Sequence, residues 1–188
     1  MLLAAPGQLG RYLANLFNRN VRLTEVKFED LSDISYRIFL HKYPRASEAG
    51  FNDEILVIEF NGKHGIGSQG NGDSLFMATT VKAAMNVWYV NGLVLDLRGL
   101  TYEWGNSIGD VLLAAKHLFG RKFPTAVIVS ETCKPALEGA RPFYASDALA
   151  DGQTNWLFDD LESALIYVKE LIESFRSEGR KKKSFWRK

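Results

Sequence analysis

The 188-residue chain is poor in the residues that staple or ligate: it has one cysteine, three histidines and five prolines. With Cys133 alone, no intrachain disulfide closes, and a tetrahedral zinc site built from cysteines is excluded. A lone thiol fits a reducing compartment, so a cytoplasmic location is expected. His41, His64 and His117 form no i,i+4 pair and no cluster with acidic residues at ligand spacing, so no metal is expected, and no cofactor. No stretch approaches the ~18 consecutive apolar residues of a membrane span. The opening Met1-Leu2-Leu3-Ala4-Ala5-Pro6 has neither a basic leader nor an apolar run of signal-peptide length, and a soluble protein is expected. Charge of one sign is also missing. The net charge of +1 exerts no global pull on nucleic acid or membrane.

What is present is a core's worth of apolar residues, 46% of the chain, with 24% charged, which excludes wholesale disorder and suits one domain. Residues 7–19 place Leu9, Tyr12, Leu13, Leu16 and Phe17 at helical spacing, while 21–29 and 34–41 read as strands. From residue 54 a regular alternation begins. Buried strands are expected at 55–60, 92–97 and 125–130, and helices at 75–88, 107–119 and 133–141. A short strand is expected at 156–158, then an amphipathic helix from 161 to about 177, capped by Asp159 or Asp160. Strands alternating with helices predict an α/β fold, a mostly parallel or mixed sheet with helices packed on it, plus an N-terminal helix and β elaboration. The expected organisation is an elaboration at 1–50, one α/β domain at 51–177, and a disordered basic tail at 178–188.

The phrases Leu95-Asp96-Leu97, Leu112-Leu113-Ala114-Ala115 and Asp160-Leu161-Glu162-Ser163-Ala164-Leu165 lie in the order strand, helix, final helix. In this the chain resembles the STAS domains of bacterial anti-sigma factor antagonists and sulfate-transporter tails, over about residues 55–172. The resemblance implies a non-catalytic, bacterial-type regulatory module that binds a protein partner through the loop and helix at 98–112. That family carries a phospho-acceptor within an Asp-Ser-Ser-Gly type turn. Here the turn reads Gly105-Asn106-Ser107-Ile108, which puts Asn106 at the acceptor position with Ser107 beside it. A second stretch, Leu95-Asp96-Leu97-Arg98-Gly99 followed by 125–138, is similar to the ClpP/crotonase superfamily. It lacks the Gly-Gly after the arginine and has Cys133-Lys134-Pro135-Ala136 where that superfamily has its serine. This resemblance implies the alternative function, a hydrolase or acyl-transfer relative using the Gly-rich loops 61–74 and 99–109.

Gly105-Asn106-Ser107-Ile108-Gly109 also fits the G-x-S-x-G nucleophile elbow, which makes Ser107 the catalytic candidate of an enzyme reading. The elbow turns directly from its strand and needs an acid and then a histidine downstream; here about seven residues intervene. The only downstream histidine is His117, ten residues on and ~15 Å along the same helix. The motif is therefore read as a helix N-terminus calling for Gly and Ser. The loop 61–73 has five glycines in thirteen residues. Lys63, His64, Gly65 and Gly67 are its candidate anion contacts, against a plain loop with an exposed imidazole. Arg98, Tyr102, Glu103, Trp104, Asn106 and Ser107 are the candidate partner-binding residues, the aromatics serving as anchors if exposed or as core lids if folded back. The partner is another protein or a second copy of the chain. In the tail, Arg180, Lys181, Lys182, Lys183, Trp186 and Arg187 are candidate contacts to an anionic membrane or nucleic acid, which defines a third reading as an adaptor.

Overall fold

A computed structural model describes residues 24–45, 50–105, 107–119, 123–139 and 156–185. The expected helix at 7–19, the irregular stretch 142–155, Asn106, Trp186 and Arg187 lie outside them. The elements are β1 (Ser35–Pro44), β2 (Asn52–Lys63), α1 (Asn71–Trp88), β3 (Gly92–Thr101), α2 (Ile108–Leu112), α3 (Ala114–Phe119), β4 (Thr125–Ile128), β5 (Leu157–Phe158) and α4 (Leu161–Phe185). A helical segment at 134–139 lies between β4 and β5.

The fold is α/β, with one mixed sheet in the order β1-β2-β3-β4-β5. β1 runs antiparallel to β2, and the other three pairings are parallel. All ten residues of β1 pair with β2, so residues 35–44 belong to the main sheet rather than to a layer packed on it.

The apolar runs 55–58 of β2 and 93–95 of β3 follow from burial on both faces. Leu56, Ile58, Phe60, Leu93, Leu95 and Leu97 join one core with Phe76, Met77 and Val81 of α1 and Ile108, Val111 and Leu112 of α2. Ile55, Val57, Val94, Ala126 and Ile128 point the other way, under Ala164, Val168 and Ile172 of α4. Gly92 is needed for this second contact, not for a turn. A Cβ there would collide with Val168 and lie 3.2 Å from Ile172 Cδ1.

Four boundaries differ from the sequence expectation. Residues 24–27 are irregular and Phe28–Leu31 is a 3₁₀ turn rather than strand, closed by the Asp30 carboxylate accepting the Lys27 amide at 3.2 Å. α1 begins at Asn71, four residues before the apolar repeat, because Gly70 rather than Asp73 or Ser74 stands at its cap. The helix expected at 107–119 is split at Leu113, whose amide bonds back to Gly109. α4 continues through Phe185, so the segment expected to be disordered from 178 is helical over its described part.

At the start of α4, Asp160 accepts the Ser163 amide at 2.8 Å. Its length, ~37 Å at ~1.5 Å per residue, carries it well past its last core residue, Ile172. Among the described residues no helix is long and apolar enough to cross a membrane.

Candidate functional site

β4 pairs with β3 only from Leu93 to Asp96, whereas β2 and β3 stay paired out to Lys63 and Thr101. The register slips between Glu59 and Asn61, where Asn61 packs so tightly on Gly99 that a side chain at 99 would strike its amide oxygen. Such a bulge re-aims a strand pair. Here the two-stranded extension carries the loops 64–70 and 102–107 out together above the carboxyl end of the sheet.

The loops are sewn to each other by main-chain bonds. His64 N–H donates to Thr101 O at 3.0 Å and Gly67 N–H to Trp104 O at 3.1 Å. Gly67 has φ +59, a left-handed conformation, and a Cβ there would lie 2.8 Å from the Trp104 ring. Gly65 N–H donates to the Asp73 carboxylate at 2.8 Å, and Gln69 N–H to Ile66 O at 3.2 Å. These bonds give the amides of His64, Gly65, Gly67 and Gln69 partners inside the molecule, Asp73 serving Gly65. Lys63 is exposed and faces Glu103 at 4.0 Å.

His64 is also not the solvated imidazole expected from its loop: it is 1% exposed. Its Nδ1 lies 2.7 Å from Gly65 O and its Nε2 lies 2.7 Å from Ser74 Oγ, in the first turn of α1. Ser74 Oγ is in turn 3.0 Å from Ser107 Oγ. Tyr102 stands edge-on to the imidazole, with ring centroids 5.2 Å apart and an interplanar angle of 89°. Its hydroxyl donates to Gly105 O, and it is 2% exposed, so this candidate interface anchor is a lid over the histidine. Trp104, two residues on, is 63% exposed, and Ile66 beside it is 45% exposed.

Ser107 is half-buried and does not cap its helix, because its backbone is already helical and its hydroxyl makes no cap bond. His64, upstream in the chain, reaches Ser107 only through Ser74, whose hydroxyl donates to Ser107 Oγ. A hydrogen-bonding residue ten positions after His64, at the start of a helix, was the available signal, and the loop's glycines masked it.

Arg98 belongs to a separate cluster. It forks onto Asp96, with Nη2 2.6 Å from Oδ2 and Nε 2.9 Å from Oδ1, and this bond raises the guanidinium pKa above its ordinary value. In the adjoining register Arg37 grips Glu59. The four charges and Asn61 line a shallow open groove of about 330 Å³, in which each cation is answered by a carboxylate. Cys133 is fully buried, its thiol 3.5 Å from Leu97 O, and burial pushes its pKa up, which suits a packing residue rather than a nucleophile. Among the described residues no three His, Cys, Asp or Glu side chains gather as a metal site. Arg180, Lys181, Lys182 and Lys183 lie in the last turns of α4.

No protein-family model matches the chain, and no curated protein sequence matches it significantly.

Proposed function

We propose that the chain is a STAS-like regulatory module that binds a protein partner through the surface where loops 64–70 and 102–107 meet. The observation that carries this reading is Trp104. A large aromatic side chain stands 63% exposed on a loop whose main chain is pinned to its neighbour through Gly67. Rigid exposed tryptophans of this kind are the usual energetic centres of protein interfaces, since little side-chain entropy is lost when they are buried. Ile66 extends the apolar patch, and Lys63 and Glu103 stand exposed near it as a charged rim. The order strand, turn, helix, strand over 92–128 is what the STAS resemblance implies, and it supports the reading.

The test compares Trp104→Ala with Trp88→Ala, a tryptophan 39% exposed at the end of α1. A partner captured from native extract by the wild-type chain is expected to survive Trp88→Ala. Trp104→Ala is expected to weaken its binding by roughly thirty-fold, the effect of losing ~2 kcal/mol. Retention of the same partner at unchanged affinity by Trp104→Ala rejects the proposed surface.

A further inference from the structure

We infer that residues 7–19 of this chain dock as an amphipathic helix in an apolar groove between α1 and the edge strand β1. The inference is independent of the partner surface around Trp104, with which the groove shares no residue.

The groove is built by two elements whose apolar residues the core does not use up. β1 stands at the end of the sheet order and pairs with β2 on one side. Alternate residues of a strand share a face, so Tyr36 and Ile38 point together toward α1. Tyr36 lies tilted against Phe76 of that helix, with ring centroids 5.9 Å apart. On α1, Thr79, Ala83 and Val87 repeat at four-residue spacing along one exposed stripe. Between the two rows lies an apolar trough of about 380 Å³. Phe28, stacked on Phe76 at 4.9 Å, stands at the end nearer the start of α1, and Trp88 stands at the other. Small Thr and Ala side chains along the α1 wall leave room for a second backbone, because helices approach as closely as the side chains between them allow.

Three observations select the occupant. The first is pattern. Residues 7–19 lie outside the described part of the chain, and their sequence sets Leu9, Tyr12, Leu13, Leu16 and Phe17 on one helical stripe, with Arg11, Asn15 and Asn18 opposite. Such a stripe needs an apolar surface to cover it. The second is length. At ~1.5 Å per residue the stripe spans ~12 Å, and the groove from Thr79 to Trp88 spans ~14 Å.

The third is the tether. Ten residues, 18–27, join Phe17 to Phe28, which is itself part of the groove wall. Their full extension reaches ~35 Å, so the segment spans the groove without strain. A tether this short holds its segment at an effective concentration on the order of 1 mM. A second copy of the chain at about 1 µM competes at about a thousandfold disadvantage. Once docked, the helix covers Val87 and Tyr36 and lies beside the edge strand, where its bulk opposes pairing of β1 with a strand of another chain.

Hydrogen exchange of the full chain, read by peptide mass, tests the inference. Amides of 7–19 are expected to exchange about tenfold or more slowly than in the free 7–19 peptide. Ala83→Glu puts a charge at an exposed position of the groove wall, and unchanged protection of β2 and β3 verifies that the fold is kept. It is expected to return 7–19 to the free-peptide rate, and so is Leu13→Asp within the segment itself. Ile166→Glu, at an exposed position of α4 on the other side of the sheet, is expected to change nothing. The slowing is expected to be independent of protein concentration between about 1 and about 100 µM. A slowing that grows with concentration assigns the groove to a second copy and overturns the inference. Free-peptide rates in the wild-type chain, or slow exchange retained in Ala83→Glu, also overturn it.

Discussion

Asp53 is a charged side chain whose removal the structure makes costly. It is fully buried at the start of β2, yet it is charged and sits between two arginines from distant parts of the chain. Arg176 of α4 donates to it at 2.7 and 3.0 Å, and Arg45 from the end of β1 donates at 3.2 and 3.3 Å. Breaking a fully buried ion pair by deleting one partner costs about 3–5 kcal/mol, chiefly because the other charge is left without compensation. Here the Arg176 and Arg45 side chains keep 18% and 21% of their exposure, and Arg176 has Glu173 in reserve at 2.7 Å. The expected loss for Asp53→Ala is therefore smaller, about 2–3 kcal/mol. For a chain of this length that lowers Tm by roughly 5–10 °C. Urea unfolding and calorimetry of the single variant check the magnitude. A double-mutant cycle with Arg176→Ala checks the cause, with an expected coupling of about 1 kcal/mol or more. Because the network is shielded, 1 M salt is expected to recover little of the difference. A loss below ~0.5 kcal/mol, or an additive cycle, refutes the claim that this carboxylate ties the hairpin to α4.

Two further substitutions test the surroundings. Burial and the nearby Asp53 carboxylate push the Tyr43 phenol up to about 12 from the ordinary 10.0. The folded state thus holds this proton more tightly, and its contribution is intact below about pH 10 and lost as pH rises toward about 12. Tyr43→Phe is expected to flatten the alkaline fall in Tm across that window. It should cost less than ~1 kcal/mol at neutral pH, since the hydroxyl has no hydrogen-bond partner among the described residues. An unchanged alkaline profile tells against the assignment. Gly70→Ala forces a methyl group into Gly65 O and the His64 ring, and is expected to cost ~2–3 kcal/mol by urea unfolding. Gly139→Ala, with nothing among the described residues within 4 Å of its added carbon, is expected to stay within ~0.5 kcal/mol. Equal stabilities of the two variants would remove the argument for a tightly packed imidazole.

Burial makes the sheet readable in advance. Residues 55–58, 93–95 and 126–128 are apolar without a break because they are covered on both sides, and no turn chemistry interrupts them. The extent of the strands was less legible. β2 starts at Asn52, where β1 alone pairs with it, and runs on to Lys63 through polar residues that pair with β3. The early start of α1 was hidden by Gly70 and Gly72, which read as loop residues until the loop's close packing on His64 and Leu31 is known.

The site was legible as a place but not as an arrangement. The turn after β3 and the glycine loop were both visible as departures from the core pattern. Nothing local announces that Tyr102 folds inward while Trp104 stays outside, since both are aromatics in one turn. The His64–Ser74–Ser107 chain joins residues separated by 10 and then 33 positions, brought together beyond the register slip between Glu59 and Asn61. Motif reading looked for the histidine in the downstream order of a known hydrolase. Chain order places no constraint on which loop brings a base to a hydroxyl.

The coverage of the second sheet face by α4 has a consequence for synthesis. Among the described residues, the row Ile55, Val57, Val94, Ala126 and Ile128 is roofed by that helix alone, and all five strands precede it in the chain. A chain emerging amino end first therefore completes its sheet with one side still wet and apolar, a state open to chaperones and to aggregation. The interval lasts until residues 161–172 clear the ribosome exit. Truncation before Leu161 would make that transient surface permanent.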